Sequence, residues 1–433
     1  MKKKVLIITY YWPPSGGGGV QRWLKFAKYL GDYNWEPVIY TVKNGEYPEL
    51  DYTLEKDIPE NLTVIKTKIW EPYLLYKKFI GQKSTDKINT GFLTEKKKPG
   101  LAERISVWLR GNLFIPDARI FWIKPSVKYL LRYIPQNNID AVITTGPPHS
   151  LHLIGLKLKQ QLNIKWLADF RDPWTNIDYY ADLKLTKYAD KKHHQMEASV
   201  INSADVVSVV GKTMKDEFEA AYKKKVEVIT NGYDEHDVPA GNVVLDKKFS
   251  IAHIGSMTKT RNPECLWQAI KELVAEEKDF ANHLQIELIG KADISVTDNL
   301  IKYDLLKYFL KKDYLPHTEV TTAQQQAQVL LLVVNRTKNQ KGILTGKLFE
   351  YMLAKRPILC VGPIDGDAAE IIKDTNAGSV VHYDNKDEIK RIVKDYYLKF
   401  LKNELKAESF NTEKYSRKNL TASLSQLLNN LTA

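Results

Sequence analysis

Val5-Leu6-Ile7-Ile8-Thr9, followed by Pro13-Pro14-Ser15-Gly16-Gly17-Gly18-Gly19 and an amphipathic run from Val20, decides how the first half of this chain folds. A short apolar strand runs into a glycine-rich turn and then a helix. At such a junction the free backbone N–H groups and the helix dipole favour an anion. A counterpart lies about three hundred residues on. There Gly342-Ile343-Leu344-Thr345-Gly346-Lys347-Leu348-Phe349-Glu350-Tyr351 leads into Arg356-Pro357-Ile358-Leu359-Cys360-Val361. Two junctions of this kind predict two nucleotide-binding-type domains facing one another across a cleft.

The pattern between them agrees. Apolar strands are expected at 5–9, 36–42, 61–66, 141–145, 165–169, 206–210 and 226–229. Helices are expected at 20–30, 126–134, 150–162 and 187–203. A polar, turn-rich stretch at 239–246 reads as a linker, after which the alternation restarts. Strands at 249–254, 284–289, 329–334, 358–361 and 379–382 are interleaved with helices at 263–277, 303–310, 347–354 and 367–373. Strand–helix alternation with short apolar strands argues for doubly wound parallel sheets. The α/β chain then divides into Rossmann-like domains at 1–240 and 241–412. A final amphipathic helix within 413–433 packs back on the first domain.

Bulk properties narrow the class. At 433 residues, with 43% hydrophobic and 27% charged, the chain is globular and too long for one core. No apolar run approaches the roughly 18–20 residues of a membrane span. Only Cys265 and Cys360 occur, so neither a disulfide framework nor a cysteine metal site is implied. The expected location is cytoplasmic. The net charge of +12 is concentrated at 66–132, with 15 Lys/Arg against 5 Asp/Glu. Trp70, Tyr73, Phe79, Trp108, Phe114 and Phe121 are interleaved there, which suits an anionic membrane surface or a solvated basic face. No nucleic-acid motif appears, so no nucleic-acid partner is expected.

Four blocks carry a family resemblance. They are Ser15–Gly19; Ala204-Asp205-Val206-Val207 with Ile229-Thr230-Asn231-Gly232-Tyr233-Asp234; His253-Ile254-Gly255 with Arg261-Asn262-Pro263; and Lys347-Leu348-Phe349-Glu350-Tyr351 with Arg356-Pro357-Ile358-Leu359. In this order and spacing the chain resembles a bacterial family 4 glycosyltransferase of the GT-B fold. The resemblance implies retaining, metal-independent transfer of a sugar from a nucleoside diphosphate-sugar to an acceptor hydroxyl, in cell-surface polysaccharide or glycolipid assembly. No cofactor is needed beyond that co-substrate, and the acceptor is a saccharide or a lipid-linked one. The protein would then work on the inner face of the membrane as a peripheral enzyme.

Charge growing on a departing diphosphate must be neutralised. Arg261 offers a guanidinium fork, and Lys347 a point charge beside the free N–H groups around Thr345 and Gly346. Surface ion pairs are the plain alternative for both. Glu350 lies one turn beyond Lys347 and can accept the ribose hydroxyls, or pair with Lys347. Two positions depart from the family pattern. Gly342 stands where relatives have a glutamate that reaches the donor sugar, and Ser256 where many have a phosphate-binding arginine. Sugar contacts would then fall to backbone amides at 342–345. Gly17, Gly18 and Gly19 let the backbone approach the donor phosphates closely. His149 and His152 follow a strand end, where open parallel sheets bind ligands. His149 resembles the family's acceptor- or sugar-contacting histidine, with capping or core roles as alternatives. Asp172 could orient the acceptor hydroxyl or pair with Arg171. The catalytic set is therefore Arg261, Lys347 and His149, with no metal.

A hydrolase is disfavoured by the lack of a G-x-S-x-G elbow, and an NTPase by the lack of a phosphate loop. The competing functions are a nucleotide-sugar epimerase of the same fold, or a non-catalytic binder of sugar nucleotides or nucleic acid.

Overall fold

The computed structural model describes residues 2–47, 49–71, 101–238, 243–313 and 315–433. The chain forms two compact units, one of 1–230 with 417–433, the other of 231–416. In the first unit the strands are β1 (Lys3–Ile8), β2 (Trp35–Val42), β3 (Thr63–Thr67), β4 (Ala141–Gly146), β5 (Lys165–Phe170), β6 (Val206–Val209) and β7 (Val226–Val228). All pair in parallel in the order β3-β2-β1-β4-β5-β6-β7. The order reverses between β1 and β4. Ligands of open α/β sheets bind at such a switch point, outside the carboxyl ends of the strands.

Helices α1 (Gly18–Leu30), α2 (Leu101–Leu113), α3 (Ile120–Gln136), α4 (Ser150–Leu162), α5 (Lys187–Ser203) and α6 (Lys212–Tyr222) complete the unit with the C-terminal helix Arg417–Leu431. The last of these buries Leu420, Leu424, Leu428 and Leu431 in one core with Trp23, Phe26 and Leu30 of α1. Trp35 Nε1 donates to Asn429 Oδ1 at 3.0 Å, which fixes its far end. Helix α3 begins at Ile120, ahead of the start at 126 expected from the sequence. Trp122 and Ile123, buried in the core, hold the extra turn in place.

The second unit repeats the plan with β8 (Phe249–Ile254), β9 (Leu284–Ile289), β10 (Phe309–Lys312), β11 (Val329–Val333), β12 (Ile358–Val361) and β13 (Gly378–Val381), parallel in the order β10-β9-β8-β11-β12-β13. Its switch point lies between β8 and β11. The helices are α7 (Glu264–Glu276), α8 (Phe280–His283), α9 (Ile294–Lys302), α10 (His317–Gln326), α11 (Gly346–Leu353), α12 (Asp367–Thr375) and α13 (Lys386–Leu401). One expectation fails here. The α-helix expected at 303–310 is instead the C-cap of α9, a single 3-10 turn at Leu306–Tyr308 and the start of the edge strand β10. Asp293 caps α9 by accepting from Ser295 N–H, and a left-handed Asp304 (φ 58°) stops it. Phe309-Leu310-Lys311-Lys312 then pairs with β9, and its lysines suit a strand at a sheet edge.

At the centre of the first unit Arg22 of α1 meets Asp169 of β5. Both are fully buried, with Nη2–Oδ1 at 2.8 Å and Nε–Oδ2 at 3.1 Å. Trp23 Nε1, Thr145 Oγ1 and Ser208 Oγ also donate to this carboxylate. Arg22 donates further to the Ile229 and Thr230 carbonyls at 2.9 and 2.8 Å. Burial pushes the carboxyl of Asp169 upward, but the Arg22 charge and the Arg22 and Ser208 hydrogen bonds outweigh it and hold the group below its ordinary value. Its contribution to stability is therefore present above the ordinary carboxylate range and lost as acidification passes the lowered pKa. We expect Arg22→Met to lower unfolding free energy by about 3–5 kcal/mol, because Asp169 is left as a buried charge. Urea titration checks this. A wild-type midpoint for the variant would show that the pair does not anchor the unit.

Candidate functional site

Each unit assembles its expected residues at its own switch point. In the first unit, Pro147 and Pro148 follow β4, both after cis peptide bonds, and deliver His149 to the N-cap position of α4. His149 makes no capping hydrogen bond. Its ring lies flat on Trp174, with centroids 4.8 Å apart and planes at 5°. His152, one turn later, is completely buried and stacks on Phe170 at 4.4 Å. Its Nδ1 is 2.9 Å from Thr144 Oγ1, which also takes the Trp166 Nε1–H at 2.9 Å. Burial drives both imidazoles toward neutrality, His152 down to about 3 and His149 well below its usual value, where the neighbouring His152 and the Arg171 charge also oppose protonation. His149 thus keeps an edge near the surface while His152 stands behind it.

The loop after β5 is pinned at three points. Arg171 Nη1 donates to the Gly19 carbonyl at 3.0 Å and Nη2 to the Pro147 carbonyl, joining the glycine loop to the His149 loop. Trp174 Nε1 donates to His193 Nδ1 at 3.0 Å, and Thr175 Oγ1 to Glu197 at 2.5 Å. His193 and Glu197 are one turn apart on α5, so a single helix face holds the loop. Asp172 is exposed beside Arg171. Each glycine has its own reason. Gly17 has φ +85°, and a Cβ on Gly19 would sit 3.0 Å from Arg171 Nη1. Gly17 and Gly18 are exposed at the start of α1, where the first-turn N–H groups have no intrahelical acceptor.

In the second unit, β8 ends where Ile254 N–H donates to the Tyr351 hydroxyl of α11 at 3.0 Å. Gly255 follows at φ +113°, and a Cβ there would lie 2.4 Å from Lys347 Nζ. The lysine therefore lies across the end of β8, in the first turn of α11. Arg261 is steered toward the same place by Asn335 Oδ1, which accepts from Nε, and by the Ser256 carbonyl, 3.2 Å from Nη1. Lys347 Nζ is buried and, among the described residues, has no hydrogen-bond partner. Burial and then the Arg261 charge lower its pKa to about 7, against a smaller opposing pull from Glu350. The Lys347–Glu350 ion pair considered from the sequence is not made; Glu350 Oε2 accepts from Gln324 Nε2 at 3.0 Å. His253 donates from Nδ1 to the Leu331 carbonyl, and burial with Lys347 nearby holds it down at about 3.

Thr345 is the N-cap of α11 without a capping hydrogen bond, and Gly346 is exposed with open space around it. Gly342 corrects an expectation. Its N–H is donated to the Asn339 carbonyl at 3.1 Å and that of Ile343 to Gln340, so the first amides expected to face a sugar are closed within the turn. Among the described residues, no group of three His, Cys, Asp or Glu is arranged to hold a metal ion.

The family model described as Glycosyltransferase Family 4 matches residues 90–237. The chain carries a glycosyltransferase family 4 domain on a GT-B fold. Sucrose-phosphate synthase from Thermosynechococcus elongatus superposes with a TM-score of 0.65 at 12% identity, over 99% of each chain. WaaG, a glycosyltransferase involved in lipopolysaccharide biosynthesis, gives 0.57 at 11%, over 98% of this chain and 99% of its own. A TarM variant from S. aureus, in complex with fondaparinux, α-GlcNAc-glycerol and UDP, gives 0.59 at 13%, over 99% of each. Likeness at such identities establishes the fold. No curated protein matches the sequence. With the family match and these glycosyltransferase neighbours together, the chain is a glycosyltransferase.

Several residues that shape this glycosyltransferase's sites were missed in the sequence. Asn335 follows the apolar run of β11, a polar residue at a strand end, and could have been noticed. Gln324, Tyr351, Thr144 and Trp166 give no local signal, because their partners lie in other elements. The unpaired Lys347 gives a test. In an unfolded chain its pKa is the ordinary 10.5, so between about 7 and 10.5 the unfolded state holds the extra proton and stability rises with pH. Lys347→Met should therefore raise the melting temperature of the ligand-free protein at pH 7, with the gap closing toward pH 10.5. A gap that does not change with pH would contradict the lowered pKa.

Proposed function

We propose that this glycosyltransferase moves a sugar from a nucleoside diphosphate-sugar to an acceptor hydroxyl, with retention and without a metal. The carrying observation is the pair of cations at the end of β8. Lys347 holds its ammonium out of water without a partner among the described residues, beside an Arg261 oriented by Asn335 and Ser256. Such an arrangement is costly in the absence of an anion and is relieved by a diphosphate. The N-terminus of α11 adds its dipole, and charge building on the leaving diphosphate strengthens every one of these contacts. Glu350, held from behind by Gln324, accepts the ribose hydroxyls. The stereochemistry and metal independence follow the family resemblance, and the UDP bound to TarM supports a nucleotide donor. On the first unit, taken by itself, the Gly17–Gly19 turn offers backbone N–H groups to a phosphate, and His149 and Asp172 serve the sugar or acceptor.

The acceptor proposed is lipid-linked, presented at an anionic membrane, in polysaccharide or glycolipid assembly. WaaG's part in lipopolysaccharide biosynthesis supports this, and so does helix α3. Its outer face carries Phe121, Lys124, Lys128 and Arg132 at helical spacing, and the helix contains no acidic residue. Exposed Trp70 packs edge-on against Phe121 at 4.6 Å, and exposed Leu113 and Trp108 lie on α2. The remainder of the basic segment, with Tyr73, Phe79 and Lys96-Lys97-Lys98, lies outside the described residues. No helix among the described residues is long and apolar enough to cross a membrane. Aromatic wedges among cations fit a headgroup interface.

Nucleoside diphosphate release, screened over UDP-, GDP-, ADP- and TDP-sugars with lipid-linked acceptors, tests the reading. Arg261→Ala and Glu350→Ala should each lose about 1.5–3 kcal/mol, roughly ten- to a hundredfold in kcat/KM. Glu350→Ala should act mainly on donor affinity. Turnover should survive excess EDTA; loss restored by magnesium or manganese would defeat the metal-free mechanism.

Membrane binding is read separately by sedimentation with neutral and anionic liposomes. The protein should follow anionic vesicles at low salt. Each lysine contributes on the order of 1 kcal/mol, so Lys124→Glu with Lys128→Glu should weaken binding by at least about tenfold. Equal recovery in the supernatant with every vesicle would leave the charge as a solvated face.

A further inference from the structure

Lys347 and Glu350 are one turn apart on α11, a spacing at which an ammonium and a carboxylate can pair. They do not pair. Among the described residues the Lys347 ammonium has no hydrogen-bond partner, although the Glu350 charge is near enough to favour its protonated form. Another helix decides what Glu350 does instead. Gln324 of α10 is only 1% exposed, and its Nε2 donates to Glu350 Oε2 at 3.0 Å. The second carboxylate oxygen, Oε1, makes no hydrogen bond among the described residues, and Glu350 is only half-buried. A leucine or methionine would fill the space between two helices if packing were the only demand. A glutamine amide there must be desolvated, and an N–H given to a carboxylate is the kind of bond that offsets this. That bond competes with the Coulomb attraction of Glu350 for Lys347, which burial of the ammonium strengthens.

We propose that Gln324 is a positioning residue that holds Glu350 off Lys347 and presents Glu350 Oε1 to the hydroxyls of a ribose. A single hydrogen bond from α10 thereby serves two ends of one ligand. It keeps the ammonium open to a diphosphate, and it fixes the acceptor that reads the sugar of the nucleoside. A carboxylate anchored at one oxygen cannot turn its other oxygen elsewhere, so a nucleotide lacking the ribose hydroxyls leaves that acceptor unpaired. The ribose half rests on the function proposed above. The separation of Glu350 from Lys347 does not, and can be measured with no nucleotide present.

The first readout is the titration of Lys347 by side-chain NMR on 13C-lysine-labelled protein, with Lys347→Met assigning the signal. Arg261 and His253 also face the ammonium, the arginine opposing its protonation and the histidine kept neutral chiefly by burial. Both are retained in every variant. Gln324→Met keeps the length and removes the N–H, so Glu350 should turn to Lys347 and raise the lysine pKa by at least about one unit. Adding Glu350→Gln to that variant should cancel the rise. The second readout is affinity for UDP and for 2′,3′-dideoxy-UDP. Wild-type protein should prefer UDP by at least about tenfold, falling to less than about threefold in Gln324→Met, where UDP itself binds at least about tenfold more weakly. A folded Gln324→Met protein whose Lys347 titrates as in the wild type overturns the inference, as does a rise that persists with Glu350→Gln or an undiminished preference for UDP. Gln324→Leu supplies the same readings if the methionine variant fails to fold. A raised Lys347 in a protein that binds neither nucleotide would instead overturn the proposed function and leave the separation of Glu350 from Lys347 standing.

Discussion

The buried Arg22–Asp169 pair is the constraint on which the first unit depends. Removing two charges from water is expensive, and Coulomb attraction offsets it only when the remaining hydrogen-bonding capacity is filled. Here it is filled: Asp169 takes donors from α1, β4 and β6, while Arg22 Nη2 also donates to the Ile229 carbonyl and Nη1 to that of Thr230. Because Asp169 lies two residues from Arg171, Thr145 four from His149, and Arg22 three from Gly19, the same knot sets the position of every candidate ligand loop in the unit. Precision at the surface is inherited from a saturated network beneath it.

The second unit uses the opposite electrostatics. Its central cation is not saturated, and the geometry around it is arranged to hold it that way. Gly255 gives up its side chain so that the Lys347 stem can cross the strand end, Tyr351 secures that strand end, and Gln324 turns Glu350 aside. A charge prevented from pairing internally is a standing preference for an external anion. One unit therefore pairs its buried arginine internally, while among the described residues the other leaves its buried lysine ammonium without a partner, a distinction that charge counts do not reveal.

That distinction marks the boundary of what the sequence made legible. Strand periodicity and glycine punctuation located both switch-point junctions, since these are local properties of strand, turn and helix. Arg261, Lys347, Glu350 and His149 stand out through motif blocks and a family resemblance, and Lys347 and Glu350 lie in α11, well away in sequence from either strand end. Local reading failed where a distant partner decides the outcome. The 303–310 segment is helical in composition, yet β9 offers it an edge to pair with. Gly342 looks open in sequence, but Asn339 closes its amide. Whether Lys347 would pair with Glu350 depended on Gln324, which belongs to another helix and carries no motif.

The C-terminal helix has a consequence for how the molecule is made. Its leucines complete a core whose other half is α1, so the first unit is assembled from the two ends of the chain. During synthesis, residues 1–230 emerge with the apolar surface beside Trp23 and Phe26 still uncovered, and all of 231–416 must be translated before the cover arrives. Domains usually mature in order of emergence. Here the core that α1 begins closes only after the whole of the second unit has been translated.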